Sequence, residues 1–134
     1  MYLLDTNICI YAINRKPENV INAIKEKSVL GLYISSITLA ELEYGIENSL
    51  QQDNNRIALH KFISIFNVLD FDAEDAISYG KLRSRLKRSE KTIGPLDMLL
   101  AAQALNKDLI FVTNNASEFE RVEGLQIEDW SIKE

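Results

Sequence analysis

Two short, uninterrupted apolar runs near opposite ends of the chain each break off at a polar triplet: Tyr2-Leu3-Leu4 into Asp5-Thr6-Asn7, and Leu109-Ile110-Phe111-Val112 into Thr113-Asn114-Asn115. A strand with one wet face alternates apolar and polar residues. A run that is apolar at every position is buried on both faces, as in parallel sheets covered by helices. Helical patterns fill the interval between the two runs. Ile8, Ile10, Tyr11 and Ile13 follow the first triplet, and Pro17 opens a second helix to about residue 27, with Val20, Ile21 and Ile24 at one-turn spacing. Leu32-Tyr33-Ile34-Ser35 and Val68-Leu69-Asp70-Phe71 read as two further strands.

Between those strands, Ser36 or Thr38 caps a helix reaching about Leu50, in which Ile37, Ala40, Glu41 and Tyr44 share one stripe. Residues 51–55 read as a turn, and Ile57, Leu59, Phe62, Ile63 and Phe66 as the next helix. Asp72 caps a helix holding Ala73, Ala76, Ile77, Gly80 and Leu82. The breaker Thr92-Ile93-Gly94-Pro95 hands over to a helix at 96–106, and an edge strand is expected near Leu125-Gln126-Ile127. This order predicts an α/β fold: a central, largely parallel sheet flanked by helices, in one domain over residues 1–134.

With 134 residues, 46% of them hydrophobic, the chain can bury a core without covalent staples. Its single cysteine, Cys9, excludes an internal disulfide and any zinc site built on clustered cysteines, and the lone His60 excludes chemistry needing two imidazoles. Cys9 lies in the apolar run Ile8-Cys9-Ile10-Tyr11 and reads as a small core residue, while His60 reads as a surface or half-buried helix residue. No apolar run approaches the roughly 18 residues of a membrane span, and the N-terminal pattern is not that of a secretion signal, so a cytoplasmic protein without membrane association is expected. The formal charge of −5 argues against a protein that coats duplex DNA. It leaves room for a nuclease, whose metal-binding acids add to the negative total.

In open parallel sheets ligands sit beyond the carboxyl ends of the strands. Asp5 and Asn114-Asn115 end two strands, and Asp97 lies in the first turn of the helix leading into the second of them. Glu41, on the stripe of Ile37, Ala40 and Tyr44, is expected to face inward. Carboxylates gathered within a few ångströms repel unless a cation neutralises them. Mg²⁺ or Mn²⁺ would do so with one or two direct carboxylates and several waters, activating water and stabilising charge on a phosphoryl oxygen. Each residue also has a plain structural reading: Asp5 as a helix cap, Asp97 as a helix-dipole acid, Glu41 as a solvated charge, Asn114-Asn115 as a turn.

Four segments in this order resemble the PIN-domain family, and within it the VapC-type toxins of toxin–antitoxin pairs. They are Leu3-Leu4-Asp5-Thr6-Asn7, the run from Ser36 to Gly45 with Glu41 inside it, Ile93-Gly94-Pro95-Leu96-Asp97, and the run from Val112 to Val122 that begins Val112-Thr113-Asn114-Asn115. The resemblance implies a three-layer fold and an endoribonuclease that uses Mg²⁺ or Mn²⁺ and is inhibited by a cognate VapB-type antitoxin. It implies that Asp5 and Asp97 ligate the metal and that Glu41 completes the acidic cluster, with Thr6 and Thr113 as supporting polar groups. The family's fourth acidic position falls on Asn115, which can accept a hydrogen bond or orient water but supplies neither charge nor base. Glu118, three residues on, is the substitute carboxylate, so the catalytic set reads Asp5, Glu41, Asp97, Asn115 and Glu118.

On the substrate side, Lys81, Arg83, Arg85, Lys87, Arg88 and Lys91 stand against Glu90 alone, a local +5 in a chain of −5. This is either a solvated face or a phosphate track leading RNA to the acids, with Arg83, Arg85 and Arg88 as the phosphate-binding candidates. The apolar positions Val20, Ile21 and Ile24, and Leu42, Ile46 and Leu50, suit core packing first. The resemblance adds an antitoxin groove and a homodimer contact among them. Two other functions stay open. Phosphoryl chemistry on Asp5 lacks the second carboxylate and the strand-ending lysine such sites want, and a catalytically inactive PIN-like module binding RNA or protein is kept open by Asn115.

Overall fold

The computed structural model describes residues 1–132. Its strands are β1 (Tyr2–Leu4), β2 (Leu32–Ser35), β3 (Asn67–Leu69), β4 (Ile110–Val112) and β5 (Ile127–Glu128). Its helices are α1 (Thr6–Asn14), α2 (Glu18–Lys27), α3 (Ser36–Glu47), α4 (Gln52–Ile63), α5 (Ala73–Arg88), α6 (Pro95–Lys107) and the single turn α7 (Ala116–Phe119). The strands form one five-stranded sheet in the order β3-β2-β1-β4-β5, and every neighbouring pair is parallel.

Alternation along the central strands sorts the core into two layers. Tyr2, Leu4, Ile34 and Val112 point to one face and pack with Ile8, Val20, Ile24, Leu42, Ile46, Leu59 and Phe62 of α1 to α4. Leu3 and Phe111 point to the other face, against Leu82 and Leu86 of α5 and Met98, Leu100 and Ala101 of α6. The fold is therefore a three-layer α/β/α sandwich, and the apolar runs in β1 and β4 are uninterrupted because both faces are covered. Cys9 is fully buried in the first layer, and burial pushes its thiol pKa up, so it is a packing residue. His60 is exposed on α4.

Helix ends follow from side chains that satisfy free backbone groups. Asp5 caps α1, and Ser35 caps α3 by accepting from the Ile37 N–H at 3.0 Å. Ser36 and Thr38, the expected caps, have other partners: Ser36 Oγ accepts from the Phe71 N–H at 3.0 Å, and Thr38 is buried beside Thr6. Asp72 and Asp75 form a reciprocal capping box at α5, and Pro95 occupies the first turn of α6.

Four features differ from the sequence reading. Helix α4 begins at Gln52, inside the expected turn, because a solvent-facing first turn needs no apolar period. The edge strand lies at Ile127–Glu128, and Leu50 is fully exposed. On α3 the core stripe is Thr38, Leu42 and Ile46, whereas Ala40 and Tyr44 face solvent. Among the described residues no helix is long and apolar enough to cross a membrane.

Candidate active site

The chain leaves β1 for β2 and β3 on one side and reaches β4 and β5 on the other, so the order reverses at β1. Such a switch point opens a crevice at the carboxyl edge of the sheet. A cavity of about 120 Å³ lies there, lined by Asp5, Thr6, Asn7, Glu41, Asp97, Asn115 and Phe119.

Asp5 continues β1, its N–H bonding to the Val112 carbonyl at 2.8 Å. The residue is only 5% exposed. Oδ1 accepts from the Thr6 N–H at 2.7 Å and Oδ2 from the Thr113 hydroxyl at 2.8 Å, so both carboxylate oxygens are fixed. Burial raises the Asp5 pKa; the Thr113 and Thr6 hydrogen bonds oppose it, and the charges of Glu41 and Glu118 add to it.

Glu41 is half-buried on the side of α3 that lines the crevice. The Thr6 hydroxyl donates to Glu41 Oε1 at 2.8 Å and lies 3.3 Å from the Thr38 hydroxyl. Glu41 thus faces the site, as expected, although its stripe is the crevice side of α3 and not the core side. Thr38, expected only as a cap, was missed as a neighbour of the site. Its signal was a polar residue one turn before Glu41, at a position that proves wholly buried.

Asp97 is the third residue of α6. Its pKa is raised to about 6, first by burial and then by the charges of Asp5 and Glu118, a hydrogen bond with the Glu118 carboxyl, and the charge of Glu41. Four carboxyl groups from β1, α3, α6 and α7 therefore act on one another. Among the described residues the ion pairs lie elsewhere: Arg56 with Glu43 and Glu47, and Lys107 with Asp72 and Asp75. None of these described pairs brings a lysine or arginine to the site acids.

The short helix α7 sets the fourth corner. Phe119 is buried and packs on Phe111 with ring centroids 4.7 Å apart, which fastens the turn to the sheet. Asn115 precedes this turn, its N–H donating to Thr113 Oγ1 at 3.1 Å and its Nδ2 to Glu118 Oε2 at 2.6 Å. Asn114 Nδ2 donates instead to the Tyr11 hydroxyl at 3.0 Å.

This donor set is all oxygen, unneutralised, and burdened by mutual repulsion. Among the described residues no three acidic, histidine or cysteine side chains converge tightly enough to enclose a cation alone. Such an open oxygen site fits a small hard divalent ion that keeps part of its water.

The basic candidates stand outside the cavity. Arg83 donates to the Tyr79 hydroxyl at 2.8 Å and Arg88 to Ser84 Oγ at 3.2 Å, and Arg85 is exposed. Asp75 bonds to Asn106, and Ser78 to the Ala102 carbonyl, so α5 and α6 run antiparallel. The basic end of α5 consequently lies at the end of the hairpin from which Asp97 projects.

The PIN domain family profile matches residues 2–125. A tRNA(fMet)-specific endonuclease VapC of Shigella flexneri is 44% identical over 133 residues, covering 97% of this chain and 98% of that protein. Ribonuclease VapC2 of Rickettsia felis is 40% identical over 131 residues, covering 97% and 98%. Two crystal structures share the fold closely: VapBC2 of Rickettsia felis bound to a promoter DNA fragment (TM-score 0.92, 38% identity, 96% and 98% covered) and DNA-bound VapBC of Salmonella typhimurium (TM-score 0.91, 43% identity, 96% and 97% covered).

Proposed function

The chain belongs to the PIN domain family, and on that premise we propose that it is the toxin of a toxin–antitoxin pair, an endoribonuclease acting in the cytoplasm as a single PIN domain. The observation that carries this reading is the set of four uncompensated carboxyl groups at the switch point of a parallel sheet. Relatives at 44% and 45% identity are named for cleavage of tRNA(fMet), which makes the initiator tRNA the first substrate to test.

Asp5 and Asp97 are the residues that would hold a Mg²⁺ or Mn²⁺ ion. Bound there, such an ion supplies activation of water and stabilisation of negative charge on the phosphoryl group. The chain's own residues supply the rest. Thr113 and the Thr6 N–H keep the Asp5 carboxylate from rotating. The Thr6 hydroxyl holds one oxygen of Glu41, leaving the other to orient the attacking water and accept its proton. Glu118 adds negative charge opposite Asp97, and Arg83, Arg85 and Arg88 are the proposed phosphate contacts.

Inactivity is the weaker reading, since its basis, Asn115, carries a carboxylate on its amide nitrogen. A VapB-type antitoxin is the proposed inhibitor. Two apolar clefts flank α1, one between it and Leu42, Ile46 and Leu59, the other between it and Ile21, Ile24 and Phe62. Glu41 lines the first of these as well as the catalytic cavity, so a segment seated there would reach the site. A homodimer is proposed alongside.

Asp97→Asn is expected to fold, by circular dichroism and melting, and to lose cleavage of initiator tRNA; excess EDTA is expected to silence the wild type. An unchanged rate in either case overturns the assignment.

A further inference from the structure

Two acids of the site, Asp5 and Glu118, are linked by a series of hydrogen bonds through Thr113 and Asn115. Thr113 donates to Asp5, the Asn115 N–H donates to the same Thr113 oxygen, and Asn115 Nδ2 donates to Glu118, whose carboxyl lies close enough to Asp97 to help raise the Asp97 pKa. Asn115 is the one amide in this series. It stands at the cap position of α7, where an asparagine ordinarily accepts from the backbone of the turn it precedes. Here the side chain makes no such bond. Its oxygen takes only a long 3.4 Å bond from Ser117 Oγ, and its nitrogen is spent on Glu118 at 2.6 Å. Capping therefore does not explain the residue.

Its donor end does. Glu118 sits one turn further on, beside a site already crowded with negative charge, and its long side chain has the rotamer freedom to swing into water. An aspartate in place of Asn115 would face Glu118 with like charge at hydrogen-bond distance, whereas an amide binds it and leaves its charge intact. We propose that Asn115 is a positioning residue: its amide holds the Glu118 carboxylate against Asp97, so that position 118, and not 115, supplies the fourth negative charge of the cation site. The assignment rests on the metal-dependent nuclease reading and refines it, because residues 115 and 118 then form one unit that bears one charge.

The unit is tested by metal binding as well as by cleavage. Mn²⁺ is titrated calorimetrically into the purified full chain and into N115A, E118Q, the double variant N115A/E118Q and the exchanged pair N115D/E118Q. Groups that orient metal ligands typically change affinity by about 10- to 100-fold. N115A and E118Q are each expected to weaken Mn²⁺ binding in that range, and N115A/E118Q to be no weaker than E118Q, since Asn115 acts only through Glu118.

The exchanged pair keeps one charge and one amide, with the amide now at position 118 donating to a carboxylate at position 115, and is expected to return to within about threefold of wild type. It also preserves the pairing, so it reports on the unit even where N115A unfolds, which melting curves reveal. Wild-type affinity in a folded N115A, additive losses in N115A/E118Q, or no recovery in the exchanged pair overturns the positioning role alone. A wild type that neither binds Mn²⁺ nor cleaves RNA overturns the nuclease reading, and this assignment with it.

Discussion

Asp97 occupies the first turn of α6, where the helix dipole favours negative charge, yet its pKa stands at about 6. Burial and three neighbouring carboxylates outweigh the dipole, so without metal the folded protein holds a proton that the unfolded chain releases near 3.8. Stability changes with pH as the difference in protons bound by the unfolded and folded states. Between about pH 4 and 6 the folded state binds more, so stability falls as pH rises through this window and stays low above it. In EDTA, Asp97→Asn should therefore melt higher than wild type at about pH 7.5 and equally below about pH 4, by calorimetry. Equal melting at both pH values would remove Asp97 from the strained cluster. Asp5 and Asp97 were legible from their places at a strand end and in a helix's first turn, Glu41 from its place on a helix stripe, and Glu118 only through the family resemblance. Their distances were not, because the Thr113–Asp5 bond spans 108 residues and Asn115–Glu118 depends on a four-residue turn too short to show a period.

The hairpin of α5 and α6 carries Asp97, and a buried polar knot sets its register. Asp75, with no exposed surface, accepts from Gln103 Nε2 at 3.2 Å, Asn106 Nδ2 at 2.7 Å and the Asp72 N–H at 3.0 Å. Lys107 pairs with Asp72 beside it. Asp75→Ala removes three hydrogen bonds at once, one of them to the fully buried Gln103, and should lower unfolding free energy by about 2 kcal/mol. Urea titration measures this, and Mn²⁺ affinity of the folded fraction should hold, since the knot lies at the hairpin end away from Asp97. Elements of this kind were readable wherever a periodic apolar face or a cap announced them, as in β1, β4, α5 and α6. The side of α3 that lines the crevice was misjudged because a cleft wall is neither core nor solvent. Polar Gln52 to Asn55 hid the start of α4 for the same reason that they can form it: nothing packs on them.

Across the molecule the formal charge of −5 conceals two opposed regions. Asp5, Glu41, Asp97 and Glu118 gather at the sheet edge, and a divalent ion among them would bring the chain from −5 to −3. Residues 81–91 carry +5 toward the same end of the α5–α6 hairpin. An acidic total therefore does not count against RNA, because attraction is decided by the local field near the site. Each phosphate contact to single-stranded nucleic acid contributes about 0.7 to the slope of log affinity against log salt. Arg85→Gln with Arg88→Gln, measured in the Asp97→Asn background so that RNA stays intact, should reduce that slope by about 1.4. Mn²⁺ affinity, measured in the wild-type background, should not move, because neither arginine lines the cavity. An unchanged slope would make the basic end of α5 a solvated face and leave the crevice to recruit its substrate through the bound cation and Arg83.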